Sequence, residues 1–297
     1  MDQSKSLINP DVAIVGAGVA GIYMLHKLRK MGLKIVVLEK SDELGGTWNW
    51  NRYPGARCDI PSLEYSYQFD EELQQDWNWS EKYSAQPEIL EYLNHVTDRF
   101  DLRKDINFEE EVLEAKFNEE SSLWNIKTNK ENYESKFCIF ATGCLSVPNK
   151  PDIEGLDKFE GQLLSTSYWP REEVDLSGKN VAIIGTGSSS IQTIPEIAKE
   201  VQNLYVFQRT PNYSIPSNNG PMDKEVEADI KSRYAEFRKE NWLNGFGIAG
   251  ISDEALIAES DIDEVNNQLE ENWKNNGLGF FGGYADVPVD ANANEVA

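Results

Sequence analysis

Two glycine-rich turns constrain the fold of this chain more than any other feature of its sequence. The first, Gly16-Ala17-Gly18-Val19-Ala20-Gly21, follows the apolar run 12–15, and the second, Gly185-Thr186-Gly187-Ser188-Ser189-Ser190, follows the apolar run 181–184. A glycine turn between a strand and a helix is typical of dinucleotide-binding domains, because glycines let backbone amides approach a pyrophosphate at the helix N terminus. The pattern predicts an α/β fold with two Rossmann-like, three-layer domains that bind FAD or NAD(P).

The residues that follow the two turns carry opposite charges. Glu39 comes directly after the apolar run 35–38, whereas Arg209 comes shortly after the apolar run 204–207. An acid at that place accepts hydrogen bonds from a free ribose 2′-hydroxyl, and an arginine suits a 2′-phosphate. We therefore expect FAD or NAD at the first turn and NADPH at the second. A chain that holds FAD beside NADPH is most simply a flavin oxidoreductase.

The composition argues against several other classes of protein. The formal net charge of −23 disfavours nucleic acid or an anionic membrane as a partner, because both would repel the chain. The sequence has neither a secretory signal pattern nor an apolar stretch of membrane-spanning length. Three cysteines without a Cys-x-x-Cys pair fit a reducing compartment, and two histidines give little support to a zinc site or a serine triad. We expect a cytoplasmic protein with a small-molecule substrate and no metal.

The remaining patterns divide the chain into three segments. We expect an FAD-binding domain over residues 1–150, the first part of an NADPH-binding domain over 151–220, and a mostly helical insertion over 221–297. Apolar residues at helical spacing predict a helix over 87–100, and alternation over 106–140 predicts a β-meander. Pro195 predicts a short or kinked helix after the second glycine turn.

The segment between the two turns resembles the signature of a known family. Phe159, Gly161, Trp169 and Pro170 match the Baeyer–Villiger monooxygenase fingerprint F-x-G-x-x-x-H-x-x-x-W-P, and Ser165 stands where the family has histidine. The loop at 45–59, the Ala-Thr-Gly turn at 141–143 and the segment 206–213 are also similar to those of cyclohexanone-monooxygenase-like members. The resemblance covers essentially the whole chain, although family members are much longer. On that ground we expect the N-terminal part of such an enzyme.

The resemblance implies a monooxygenase that uses FAD, NADPH and O2 to convert a ketone into an ester or lactone through a C4a-peroxyflavin. At matching positions it implies that Asp59 lies near the isoalloxazine ring as the catalytic candidate, where it would orient an arginine that family members carry beyond the position of residue 297. It implies the following cofactor-binding residues: Gly16, Gly18, Gly21 and Glu39 for the ADP half of FAD, Gly46, Thr47 and Trp48 for the flavin, and Gly185, Gly187, Ser188, Arg209 and Thr210 for NADPH.

Several alternatives stay open at the level of the sequence. Ser165 cannot titrate near neutral pH as the family's histidine does, which keeps an N- or S-oxidising flavin monooxygenase open. The short length keeps a non-catalytic nucleotide-binding fragment open. A pyridine-nucleotide disulfide reductase is a weaker rival, because no paired cysteines follow the first turn. For Asp59, the alternative is a loop residue that accepts hydrogen bonds from nearby backbone amides, a common role of aspartate in loops.

Overall fold

A computed structural model describes residues 6–145, 147–212, 214–244, 247–248, 255–275, 283–287 and 289–296. Tyr213, in the family-like segment 206–213, lies outside the described residues, as do 245–246, 249–254, 276–282, 288 and 297 of the predicted helical insertion. The chain divides into two units. Unit 1 comprises Met1–Ala56, Gln86–Lys179 and Lys199–Val201, and unit 2 comprises Arg57–Ala85, Asn180–Ala198 and Gln202–Ala297.

Unit 1 contains two four-stranded sheets. Its strands are β1 (Leu7–Ile8), β2 (Val12–Val15), β3 (Ile35–Leu38), β4 (Ile106–Asn107), β5 (Val112–Asn118), β6 (Leu123–Thr128), β7 (Asn132–Ser135) and β8 (Phe137–Phe140). One sheet is entirely parallel and has the order β4–β3–β2–β8. Numbered along the chain, this order is 3-2-1-4, in which the first strand, β2, lies between β3 and β8. It is the order of a Rossmann-like domain.

Helices on unit 1 follow the apolar spacing of the sequence. They are α1 (Val19–Lys30), α2 (Thr47–Trp50) and α4 (Gln86–Arg99). Helix α1 buries Ile22, Leu25 and His26 and packs against β2 and β3. Three basic residues lie in its last turn, where they interact favourably with the helix dipole. Helix α4 confirms the helix predicted over 87–100.

The second sheet of unit 1 has the order β1–β7–β6–β5. Its antiparallel strands β5–β7 confirm the meander predicted over 106–140, but the prediction was wrong at both ends, because β4 and β8 belong to the parallel sheet. Ile126 and Tyr133 of the meander share a buried cluster with Ala13 and Leu38 of the parallel sheet. The meander, the parallel sheet and α1 therefore form three layers.

Unit 2 contains a second strand–helix–strand element. Strands β9 (Asn180–Ile184) and β10 (Asn203–Phe207) pair in parallel, and α5 (Ser188–Ile197) follows β9. Helix α5 contains Pro195 and is ten residues long, which confirms the short helix expected there. The other helices are α3 (Glu71–Asp76), α6 (Lys224–Ser232), α7 (Tyr234–Leu243), α8 (Ile262–Asn275) and α9 (Ala291–Val296). Among the described helices of the whole chain, none is long and apolar enough to cross a membrane.

Several strands carry large apolar side chains that are exposed. On β8 these are Phe137 and Phe140, and on β9 and β10 they are Ile184, Tyr205, Val206 and Phe207. A second, helical part of unit 2 has its own buried core, formed by Ile257, Val265, Leu269, Tyr284, Val287 and Ala293. This buried cluster of apolar side chains in unit 2 is therefore separate from the two-stranded sheet, on which the large apolar side chains named above are exposed.

Candidate functional site: two glycine turns and the loops beside them

The first glycine turn joins β2 to α1 in a conformation that requires glycine. Gly16 has φ +102° and its amide donates to the carbonyl of Leu38 at 2.9 Å. A Cβ on Gly16 would lie 2.7 Å from the carbonyl oxygen of Ala141, and one on Gly21 would lie 1.9 Å from that of Gly16. Real Cβ atoms do not approach so closely, so both positions exclude any side chain. The two glycines let α1 begin directly against the end of the sheet.

The N terminus of α1 has neither a side-chain cap nor an acidic residue in its first turn. Gly18 is the N-cap residue and has no side chain to accept from the first-turn amides, and no acidic residue lies in the first turn. The first amides of a helix carry a partial positive charge and are a ready site for a phosphate. The turn therefore has a positive potential at the place where the sequence predicts a pyrophosphate.

Glu39 lies at the end of β3 with its carboxylate buried beside the turn. Its Oε2 accepts from the amide of Ala17 at 2.7 Å, and its Oε1 accepts from the amide of Ser41 at 2.8 Å. Each carboxylate oxygen has two lone pairs, so both oxygens keep a place for a further donor such as a ribose hydroxyl. The two backbone bonds fix the carboxylate before any ligand is present.

The loop that carries Gly46, Thr47 and Trp48 lies directly on the first turn. The amide of Gly45 donates to the carbonyl of Ala17 at 2.9 Å, and a Cβ on Gly46, which has φ +54°, would lie 3.0 Å from the Cα of Gly18. Trp48 is buried, whereas Thr47 is exposed at the start of α2. The structure thus brings together all seven residues predicted for FAD on unit 1.

Asn49, which was missed at the level of the sequence, connects this loop to Ser41, whose amide donates to Glu39. Its side chain is buried; Nδ2 donates to Ser41 Oγ at 2.7 Å, and Oδ1 accepts from Arg52 at 2.8 Å. Burial lowers the pKa of the Arg52 guanidinium. No sequence pattern marked Asn49, because a buried asparagine and an exposed one look the same in a loop of mixed composition.

The fingerprint segment ends against the loop after β3. The rings of Tyr168 and Trp50 lie 5.4 Å apart, and Arg171 forms a two-pronged ion pair with Asp42, in which Nη1 lies 2.6 Å from Oδ2. The hydrogen bond from Arg171 holds the pKa of the Asp42 carboxyl below its usual value. Ser165 is exposed, and its carbonyl accepts from the amide of Tyr168 at 3.1 Å.

The second glycine turn, in unit 2, has the same backbone arrangement as the first. Gly185 has φ +104° and donates to the carbonyl of Phe207 at 2.8 Å. Gly187 is the N-cap of α5 and, like Gly18, provides no side-chain cap. Ser188 begins the helix, and Ser190 is half-buried at the third fingerprint position without interrupting it. Arg209 and Thr210 follow β10 with exposed side chains, unlike the buried Glu39 of the first site.

Asp59 lies on unit 2, in the segment that follows the long loop. Its carboxylate is exposed, and Oδ1 accepts from Gln192 Nε2 on α5 at 3.0 Å. Gln192, like Asn49, was missed by sequence reasoning, since it is 133 residues away along the chain. The preceding Cys58 is buried, which raises the pKa of its thiol to about 11. Asp59 is thus hydrogen-bonded to α5, the helix that follows the second glycine turn.

Comparisons with known proteins show which family the chain belongs to. Residues 13–276 match the protein family described as pyridine nucleotide-disulphide oxidoreductase. The chain is 40% identical over 294 residues to a Baeyer–Villiger monooxygenase from Pseudooceanicola batsensis, covering 97% of this chain and 53% of that protein. It is 38% identical over 295 residues to a phenazine N-monooxygenase from Lysobacter antibioticus, with 97% and 54% covered. The crystal structure of cyclohexanone monooxygenase from Rhodococcus sp. Phi1 bound to NADP+ gives a TM-score of 0.91 at 42% identity, with 98% and 55% covered.

The resemblance predicted from the fingerprint is confirmed, and so is the α/β fold. The chain spans about half the length of the relatives it matches. The three cysteines of the chain, Cys58, Cys138 and Cys144, are free. The chain belongs to the pyridine nucleotide-disulphide oxidoreductase family, and its relatives include Baeyer–Villiger monooxygenases of the cyclohexanone-monooxygenase type.

Proposed function

We propose that this protein is an FAD- and NADPH-dependent monooxygenase that inserts one oxygen atom of O2 into a small ketone. One ketone, O2, NADPH and a proton would yield an ester or lactone, NADP+ and water. The observation that supports the proposal most is that the residues at the two expected ribose positions have opposite charges. Glu39 is a buried carboxylate beside the first turn, and Arg209 is an exposed guanidinium beyond the second. One chain thus combines the recognition chemistry of two different dinucleotides.

The residues of unit 1 fit FAD. Gly16 and Gly21 leave no room for a Cβ, the α1 N terminus has no side-chain cap, and both oxygens of Glu39 keep lone pairs for ribose hydroxyls. We assign the pyrophosphate to Gly18 and the α1 amides, the ribose to Glu39, and the flavin side to Gly46, Thr47 and Trp48.

The residues of unit 2 fit NADPH. Apart from chain neighbours, no described residue lies within 4 Å of the place that a Cβ would take on Gly185 or Gly187, so a pyrophosphate can approach the backbone there. We assign the pyrophosphate to these glycines and to Ser188, whose hydroxyl can donate to a phosphate oxygen. Arg209, with Thr210 beside it, would pair with the 2′-phosphate, because a guanidinium forms two parallel hydrogen bonds with a phosphate.

Bound FAD would supply two-electron transfer from NADPH and the activation of O2. The protein's own residues orient the two nucleotides and set the charge beside the reacting atoms. Asp59 is our candidate for that charge, because its carboxylate is held on α5, the helix that the NADPH pyrophosphate would occupy. The net charge of −23 and the free cysteines support small-molecule partners and a reducing, cytoplasmic location.

N-oxygenation is the second candidate. The phenazine N-monooxygenase is 38% identical to this chain and the Baeyer–Villiger monooxygenase is 40% identical, so identity alone favours neither substrate class. Ser165 in place of the fingerprint histidine also removes a feature that would favour ketone oxidation.

One experiment separates the candidates. The purified protein is titrated with FAD, and the loaded protein is given NADPH and ¹⁸O₂ with either cyclohexanone or phenazine as substrate. We expect labelled lactone from cyclohexanone. Labelled phenazine N-oxide instead would assign the second candidate, and FAD binding without either product would refute a monooxygenase. Absence of FAD binding would refute the cofactor assignment itself.

A further inference from the structure

The amide of Gln192 holds the backbone that carries Asp59. Oε1 of Gln192 accepts from the amide of Arg57 at 3.3 Å, and Nε2 donates to the carbonyl of Arg57 at 3.1 Å and to Asp59 Oδ1 at 3.0 Å. A side-chain amide has one acceptor and two donor hydrogens, and these three bonds use both functions. Gln192 therefore fixes the backbone at residue 57 and the carboxylate at residue 59 with one group.

The segment 57–59 is held on its other side by residues 81–85. Arg57 forms an antiparallel bridge with Ala85, and the amide of Cys58 donates to the carbonyl of Ser84 at 3.1 Å. The Arg57 guanidinium lies 2.8 Å from Glu81 Oε2 and 3.2 Å from the carbonyl of Tyr83. Residues 57–59 thus lie between the loop 81–85 and α5 and make hydrogen bonds to both.

Helix α5 connects this segment to the second glycine turn. Ser188 is its first residue and Gln192 lies four positions later. Residues four apart share one face of a helix, so the phosphate-binding end and the Gln192 amide lie along the same face. A ligand that fixes the first turn of a ten-residue helix restrains the next turn too, because successive turns are joined by backbone hydrogen bonds.

We propose that Gln192 is a positioning residue that couples occupancy of the second nucleotide site to the orientation of Asp59. The inference rests on the proposed NADPH site. Binding of the pyrophosphate at Gly187 and Ser188 restrains α5, and the Gln192 amide then restrains Arg57 and the Asp59 carboxylate. Without Gln192 the nucleotide still binds, but Asp59 does not respond to it.

Hydrogen–deuterium exchange tests the coupling without requiring turnover. The full chain is measured with and without NADP+, and exchange is followed in the peptide that contains residues 57–60. In the unmodified protein, NADP+ is expected to slow exchange of the Arg57 amide by roughly two- to tenfold, the effect of one strengthened hydrogen bond. In Gln192→Ala and in the isosteric Gln192→Glu, which loses both donors, the slowing is expected to vanish while NADP+ affinity stays within about threefold. The matched control is Ile191→Ala, an exposed neighbour on the same helix, which keeps the slowing.

The outcomes separate the two proposals. Slowed exchange in the unmodified protein and in Ile191→Ala, together with its loss in both Gln192 variants, supports the coupling. If NADP+ binds but exchange at 57–60 is unchanged, or is slowed equally in Gln192→Ala, the coupling is wrong and the NADPH site stands. If the unmodified protein does not bind NADP+, the NADPH assignment is wrong and the coupling fails with it.

Discussion

Gly21→Ala is the substitution whose effect the structure defines best. The added Cβ would lie 1.9 Å from the carbonyl oxygen of Gly16, whereas ordinary contact begins at 3.4 Å, so α1 and the glycine turn must separate by about 1.5 Å. The obstructing atom is backbone, and Gly16 is itself held by its bond to Leu38. Separation also loosens the packing of Ile22 and Leu25. We expect a loss of about 3 kcal/mol in the free energy of unfolding, at the upper end for overpacked sites.

Urea denaturation of the chain, followed by circular dichroism, measures this effect. Gly18→Ala is the informative comparison, because its Cβ would meet Gly46 at 3.5 Å, an ordinary contact. We expect Gly18→Ala to change the free energy of unfolding by less than about 0.5 kcal/mol while weakening FAD binding. Gly220→Ala serves as the neutral control, because the added Cβ would have no described residue other than its chain neighbours within 4 Å. A Gly21→Ala protein as stable as Gly18→Ala would refute the steric reasoning.

Three further measurements test other parts of the structure. Arg209→Ala is expected to weaken NADP+ binding by roughly 10- to 100-fold, because a charge-assisted hydrogen bond is lost. Calorimetry should show NAD+ binding unchanged in the same variant. An equal loss of affinity for both nucleotides would contradict the 2′-phosphate assignment. Burial raises the pKa of the Cys58 thiol and of the half-buried Cys138 thiol to about 11. Iodoacetamide at pH 8 is therefore expected to label the exposed Cys144 first, as followed by peptide mass spectrometry. The stability that Cys58 and Cys138 contribute is present below about pH 8.5 and is lost as the pH rises towards 11. Asp223→Ala removes a carboxylate that accepts from two amides of the α6 first turn, at 2.8 and 3.2 Å, and is expected to cost about 1 kcal/mol in urea denaturation; no change would mean that water replaces the cap.

The sequence predicted the elements that local pattern determines. Both strand–turn–helix–strand units, α4 and the short α5 follow from apolar spacing, glycine and proline. Pairing between distant strands did not follow. The run at Phe137–Phe140 looked like the last strand of the meander, yet β8 pairs in parallel with β2. Four apolar residues do not specify a partner, and the choice depends on which sheet has an edge available.

The residues of the candidate site likewise fall into those that the sequence identified and those that it missed. Gly16, Gly21 and Glu39 were identifiable because each fulfils a requirement that few other residues meet, and Gly18 was identifiable from its place in the same pattern. Asn49 and Gln192 were not, since their roles depend on contacts made in the folded chain. An amide side chain is equally suited to solvent and to a buried network, so only the fold decides between them.

The exposed apolar side chains of β8, β9 and β10 have a consequence for how copies of this chain behave towards one another. Open strand edges with apolar faces favour association between copies. A net charge of −23 on each copy opposes that approach. The range of this repulsion falls from about 30 Å at 0.01 M salt to about 10 Å at 0.1 M. Ionic strength therefore governs the colloidal stability of the chain, even where it leaves the fold of each molecule unchanged.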